Sequence, residues 1–268
     1  MSPQKAARTA RERARAELTR EIKEEARRQL AEVGANGLSL RAVARELGMV
    51  SSALYRYFPS RDDLLTALII DAYNAIGAAA EAAIGAADAA PALERWVAAC
   101  RAIRAWALAR PHEYALIYGS PVPGYRAPEA TVGPASRVPL AFASVLAAAV
   151  ASGSIASGGS ASSGGSASSG GGGAPGVSGP LAGQAALLAA ALAGTAAART
   201  TAVATAVAAG TGNGRPVPAD MLVRAVIAWT QLFGMISFEL FGQFVGSFEP
   251  ADALFEYAVA QLAALVGL

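Results

Sequence analysis

Cysteine and histidine are almost missing: 268 residues hold one of each, Cys100 and His112. A single cysteine excludes an intrachain disulfide. One cysteine and one histidine argue against a structural zinc site and against a Cys/His nucleophile pair. No GxSxG and no phosphate-binding P-loop occurs. The glycines at 158–173 lie in a low-complexity run rather than between a strand and a helix. No cofactor is expected. The first 30 residues are charged and contain no apolar segment of the kind that opens a secretory signal. The expectation is a soluble, cytoplasmic protein.

Charge is also scarce, at 16 % of residues, while 54 % are hydrophobic, enough for a substantial core. The length suits one large domain or two small ones. The net charge of +2 hides an uneven distribution. Residues 1–63 carry 13 Lys/Arg against 9 Asp/Glu, a net +4. The other 205 residues carry 9 against 11, a net −2. The positive charge sits at the N-terminal end, as phosphate binding requires.

The most informative stretch is Ser39 to Leu65. Ser39 is a good helix N-cap, and Leu40, Val43, Ala44 and Leu47 follow at the spacing of one apolar helix face. Gly48 can end that helix in the left-handed conformation. A short second helix is predicted from Ser51 to Tyr57, stopped by Pro59. Ser60 can cap a third, with Asp62 and Asp63 in the first turn, where the helix dipole favours negative charge. Two short helices joined by a glycine-containing turn form a helix-turn-helix.

The runs LRAVARELGM and ALYRYFPSRDDLL closely resemble the DNA-binding domain of the tetracycline-repressor (TetR) family of bacterial regulators. Tyr55, Tyr57-Phe58 and Pro59-Ser60-Arg61 carry the most specific part of the likeness. The resemblance implies an all-α protein. A three-helix helix-turn-helix domain is expected at 1–60 and a larger helical ligand-binding and dimerisation domain at 61–268. It implies that Ser39, Ser51, Ser52, Tyr55, Tyr57 and Arg61 contact DNA. Hydroxyls, a phenol and a guanidinium are groups that reach phosphate oxygens. Ser52 and Ala53 stand where base edges could be met, and an alanine methyl can touch a thymine methyl. The family usually has Ser or Thr where Val50 stands, so Ser51 is expected to take over the cap.

Along the rest of the chain, residues 1–8 read equally well as a flexible basic arm or as a solvated helix start, and 9–33 as a long amphipathic helix. A connecting helix is predicted over 61–86. In the resembled family it transmits ligand-induced motion. Another helix is expected over 91–110, ended by Pro111, followed by an aromatic turn region at 112–128. The PVPGY segment there resembles one regulatory-domain subtype of the family, the WHG/TetR-like one. An apolar helix is expected at 135–151 and an alanine-rich one at 183–209. The Gly/Ser/Ala run 152–180 between them offers too little apolar surface to offset its ordering entropy, so a disordered insertion is expected.

Residues 219–246 read as the most apolar helix. Leu222, Val226, Trp229, Phe233, Ile236 and Leu240 recur at heptad spacing, and Met221, Ala225, Ala228, Leu232 and Met235 form a second apolar face. With a last helix at 250–266 it is expected to make a homodimer interface. Charges at Arg224 and Glu239 leave too short an uncharged run for a membrane span, and no membrane association is expected.

The candidate ligand site is a mostly apolar pocket between the helix at 91–110, the Tyr114–Tyr125 turn and the Trp229–Phe241 helix. Its expected lining is Trp96, Cys100, Ile103, Trp106, Tyr114, Tyr118, Trp229 and Phe233, with Arg104 and Glu239 as polar anchors. Aromatic core packing accounts for the tyrosines equally well. The leading expectation is a ligand-responsive repressor that binds a palindromic double-stranded operator as a homodimer and is released by a small hydrophobic molecule. The alternative is a helical small-molecule-binding or sequestering protein without regulatory DNA binding. An enzyme is not expected: His112 and Glu113 are the one close acid/base pair, with no nucleophile or metal ligands nearby.

Overall fold

The computed structural model describes residues 3–155, 178–187 and 219–268, and every regular element among them is helical. The helices are α1 (Pro3–Gly37), α2 (Leu40–Glu46), α3 (Ser51–Leu54), α4 (Arg61–Ala86), α5 (Ala92–Ala109) and α6 (Pro111–Tyr118). A 3₁₀ turn, Glu129–Thr131, leads into α7 (Val132–Ala135) and α8 (Arg137–Ala151). The last two are α9 (Ala219–Leu240) and α10 (Asp252–Val266). Residues 179–187 are also helical; most of the expected 152–180 insertion and of the 183–209 helix lies outside the described residues.

The chain forms two compact units. The first holds Met1–Ala75 and Ala107–Ala135; the second holds Ile76–Trp106 and Ser136–Leu268. Compactness therefore does not follow a single cut at 60/61: α4 runs through both units, and α6 belongs with the N-terminal helices.

In the first unit, Ile22, Ala26 and Leu30 of α1 meet Leu40, Val43 and Ala44 of α2, Leu54 and Phe58, and Leu64, Leu65 and Leu68 of α4. Of the two readings of the N-terminal segment the helix start agrees with the structure: α1 is helical from Pro3, and it kinks at Gly34, whose φ of 69° a residue with a Cβ rarely adopts. Lys23 and Arg27 both pair with Asp71 of α4, and Arg27 also reaches Glu113 of α6. The aromatic region 112–118 is a helix rather than a turn, because Pro111 stands in its first turn, where the missing N–H costs nothing.

In the second unit, Trp96 of α5 packs on Phe142 of α8 at 4.6 Å between ring centroids. α4 approaches α8 closely at Gly77, where a Cβ would lie 2.6 Å from the Arg137 Cβ. The same arginine forms a two-point pair with Glu81, one turn further along α4. α9 stops at Leu240, earlier than expected, because Gly242 turns left-handed at φ 74°. The Gln243 N–H then donates to the Phe238 carbonyl, closing the helix end.

This packing takes up half of the expected dimer seam on α9, while Trp229 and Leu240 are half-buried and Val226 is exposed. Leu222, Phe233 and Ile236 are buried inside the unit, as are Met221, Ala228 and Leu232 of the second face. A third face is exposed: Ile227, Gly234 and Phe238 on α9, then Phe241, Val245 and Phe248. α10 exposes Ala253, Tyr257, Ala260 and Ala264 in the same four-three rhythm.

Three segments, Arg61–Ala86, Glu129–Ala151 and Asp220–Leu240, are long and apolar enough to cross a membrane by length and composition. Their polar side chains are instead paired within a unit: Asp71 with Lys23 and Arg27, Arg137 with Glu81, Glu239 with Arg104.

Candidate nucleic-acid interface

The helix-turn-helix is built from α2, its turn and α3. The Ser39 hydroxyl accepts from the Ala42 N–H at 3.5 Å and caps α2. Gly48 leaves α2 with φ 63°, and the Met49 N–H donates to the Ala44 carbonyl at 2.8 Å. This glycine has open space around its Cα, so the turn needs it for backbone conformation rather than for room. α3 is shorter than expected and ends at Leu54, with turns over 55–57. Its N-cap is Val50, whose carbonyl accepts from the Ala53 N–H; Ser51 is the first helical residue and does not cap it.

Leu54 and Phe58 anchor this segment in the core. The opposite side faces outward: Ser52, Tyr55 at 42 % exposure and Arg56 are exposed, with Ser51 and Ala53 half-buried beside them. Tyr57 is half-buried, and the Arg15 guanidinium of α1 stands over its ring at 5.5 Å. Arg41 and Arg45 project from α2. Arg56, Arg41 and Arg45 are basic positions that the motif comparison alone passes over; their signal is the local charge excess.

Arg61 has another task than the phosphate contact expected of it. Its Nε donates to the Leu38 carbonyl at 3.1 Å and its Nη2 to the Ala35 carbonyl at 2.7 Å. These are carbonyls of the last turn of α1 and of its connection to α2, so the guanidinium fastens α4 to the start of α2. Ser60 caps α4 as expected: its hydroxyl accepts from the Asp63 N–H and donates to the Asp63 carboxylate.

The expected ligand residues divide between the units. Tyr114 and Tyr118 lie in the first, in a cluster with Tyr73: ring centroids are 5.2 Å apart for Tyr114–Tyr118 and 6.0 Å for Tyr73–Tyr118. Burial pushes the Tyr118 and Tyr73 phenols up. Trp96, Cys100, Ile103, Trp106, Trp229 and Phe233 lie in the second. Trp96, Cys100, Ile103, Trp106 and Phe233 are buried there. The Trp96 and Trp229 indole N–H groups are buried with no acceptor among the described residues. Burial pushes the Cys100 thiol well above its ordinary value, so it stays protonated and unreactive.

Arg104 and Glu239, expected as anchors, hold each other at 2.8 and 2.6 Å, and Arg104 also reaches Asp252 at 2.8 Å. Hydrogen bonding to Glu239 raises the Arg104 pKa further above its already high value. Glu113, the suspected partner of His112 in any acid/base chemistry, pairs instead with Arg27 and Arg110.

The family model described as "Bacterial regulatory proteins, tetR family" matches residues 22–68, and "Tetracyclin repressor-like, C-terminal domain" matches residues 96–262. The chain belongs to the TetR family. Among curated proteins it is similar to the HTH-type transcriptional regulators Rv1816 of Mycobacterium tuberculosis and Mb1846 of Mycobacterium bovis. Each is 50 % identical over 143 residues, 53 % of this chain and 61 % of the relative. The match thus spans less than two thirds of those relatives. Among solved structures it is similar to the regulatory protein SCO4313, with 34 % identity, 94 % of this chain and 98 % of that one covered, and a TM-score of 0.63. As a TetR-family chain it carries the helix-turn-helix where Ser39–Leu65 indicated it.

Proposed function

We propose that the chain is a DNA-binding transcriptional regulator that works as a homodimer and responds to a small hydrophobic molecule, most simply as a repressor. The observation that carries the reading is the outward side of α3. Ser52, Tyr55 and Arg56 are presented to solvent by a helix whose other side is sealed into the core by Leu54 and Phe58. A small polar residue at the base edges, flanked by a phenol and a guanidinium, suits insertion into the major groove with phosphates on either side.

Two protomers related by two-fold symmetry would read a palindrome with half-sites about 34 Å apart or a multiple of it. The exposed face of α9 and α10 supports the dimer. Soluble monomers seldom leave large contiguous apolar patches bare. The Trp96 and Trp229 indole donors support a guest with an acceptor atom in an otherwise apolar site of the second unit. Such a guest shifts DNA affinity only by its differential affinity for the two conformations.

The test is selection of a duplex from a random pool by the purified protein, followed by gel-shift titration. Tyr55→Ala is expected to weaken binding at least tenfold while circular dichroism stays unchanged. A protein that selects no duplex, or a variant that binds as tightly as wild type, overturns the reading. Selection of no duplex together with saturable binding of hydrophobic ligands would favour a sequestering protein.

A further inference from the structure

The turns of α1 over residues 10–17 have no core beneath them. Leu18 is the first half-buried residue and Ile22 the first buried one; Arg11 to Glu17 are all exposed. Residues 10–17 therefore stand clear as a bare stretch of helix of about 12 Å at 1.5 Å per residue. The family model's match begins only at residue 22, after this projection.

The projection is patterned. Arg8, Arg11 and Arg15 recur at three- and four-residue spacing, and the same line runs on through Leu18, Ile22 and Gln29, which face the helix-turn-helix. The arginine line is thus the outward continuation of the side of α1 that packs on α2 and α4. Its position is fixed at one point, where the Arg15 guanidinium lies over the Tyr57 ring beside the exposed end of α3. Arg13 stands half a helix circumference away from this line. Among the described residues Arg11 has no acidic partner in ion-pair distance.

We infer that the bare stretch of α1 is a second nucleic-acid contact: its Arg11–Arg15 line lies along the phosphate backbone next to the half-site held by α3. This rests on the DNA-binding reading above. A helix is about 10–12 Å across with its side chains, and the minor groove is about 6 Å wide. In helical form the segment fits against the backbone and not into that groove. A helix end without packing is only marginally stable. Neutralising its charges against phosphates adds to the stability of that helix end. Phosphate contacts carry no base information; the arm adds affinity and salt sensitivity without changing the sequence read.

The test compares wild type, Arg11→Gln and Arg13→Gln on the duplex that wild type selects from a random pool, measuring binding constants over a salt series. Both positions are exposed, and circular dichroism checks that the fold is kept. Removing one phosphate-bound cation per protomer makes the slope of log K against log salt shallower by about 0.9, or about 1.8 for a dimer. At about 0.1 M salt Arg11→Gln then binds roughly 10- to 100-fold more weakly, with an unchanged selected sequence. Arg13→Gln keeps the wild-type slope. An unchanged slope in Arg11→Gln, with wild type binding normally, overturns the arm contact alone. Equal losses in Arg11→Gln and Arg13→Gln overturn the one-sided helical line in favour of diffuse attraction. A wild type that selects no duplex overturns the DNA-binding reading and this inference with it.

Discussion

Phe238 and Ile236 stand two residues apart on α9 and should behave in opposite ways when given a charge. Phe238 is 55 % exposed, whereas Ile236 is fully buried. In Phe238→Glu the folded protomer loses little, because surface changes usually stay within about 0.5 kcal/mol. The dimer loses more. Full burial of a Phe side chain contributes about 1.5–3 kcal/mol, so the half still available on each protomer amounts to roughly 1 kcal/mol, or about 2 for the pair. Two carboxylates desolvated without partners add about 1–3 kcal/mol each if they are buried as the phenyl rings were. The sum, about 4–8 kcal/mol, weakens the dimer by at least a factor of about 10³, at 1.4 kcal/mol per tenfold. Sedimentation velocity at micromolar concentration should show a folded monomer.

Ile236→Glu removes a core side chain, a loss of about 2–5 kcal/mol, and forces a carboxylate into its place. That approaches the whole stability of a typical domain, about 5–15 kcal/mol, so this variant should melt or aggregate rather than dissociate. A Phe238→Glu protein that remains dimeric refutes the choice of face. A wild type that sediments as a monomer while binding a palindrome tightly refutes the dimer itself.

Arg61→Ala should destabilise the fold by about 1–3 kcal/mol through lost charged hydrogen bonds, read as a lower melting temperature, and weaken DNA binding indirectly by loosening α2. Arg61→Lys should rescue only part of it, since one ammonium cannot span the Ala35 and Leu38 carbonyls as the guanidinium does. Gly77→Ala should cost about 1–3 kcal/mol in chemical denaturation, because the new methyl meets the Arg137 Cβ and α8 must shift; a neutral result would show that the approach of α4 and α8 is looser than 2.6 Å implies. Cys100 should resist a thiol reagent at pH 8 in the native protein and react fully once the chain is denatured; rapid native labelling would contradict its burial.

The sequence made some elements plain because their ends are chemically marked. α4 starts and ends at the positions expected of it, since Ser60 caps it and acidic residues fill its first turn. The turn after α2 was legible from Gly48 alone. Other features were not legible because one pattern serves two purposes. On α9, three faces are apolar, so a heptad line satisfied by α8 and α10 of the same protomer looks the same as one satisfied by a second chain. Around α6, the prolines and glycines at 119–124 drew the whole region toward a turn, although Pro111 is a helix starter. Arg104, Glu239 and Arg61 show the limit for site residues. Each is a charged group near the expected site, yet which partner takes it depends on groups more than 20 positions away, a carboxylate for Arg104 and backbone carbonyls for Arg61.

The Arg61 fastening also says where this protein can be cut. The guanidinium that closes the α1–α2 connection is carried by the first residue of α4, and Leu64, Leu65 and Leu68 behind it finish the floor under α3. A fragment ending at residue 60 would keep every letter of the recognition motif and lose both its latch and part of its foundation. The smallest fragment that keeps the helix-turn-helix on its foundation therefore has to include at least the first two turns of the helix that leaves it.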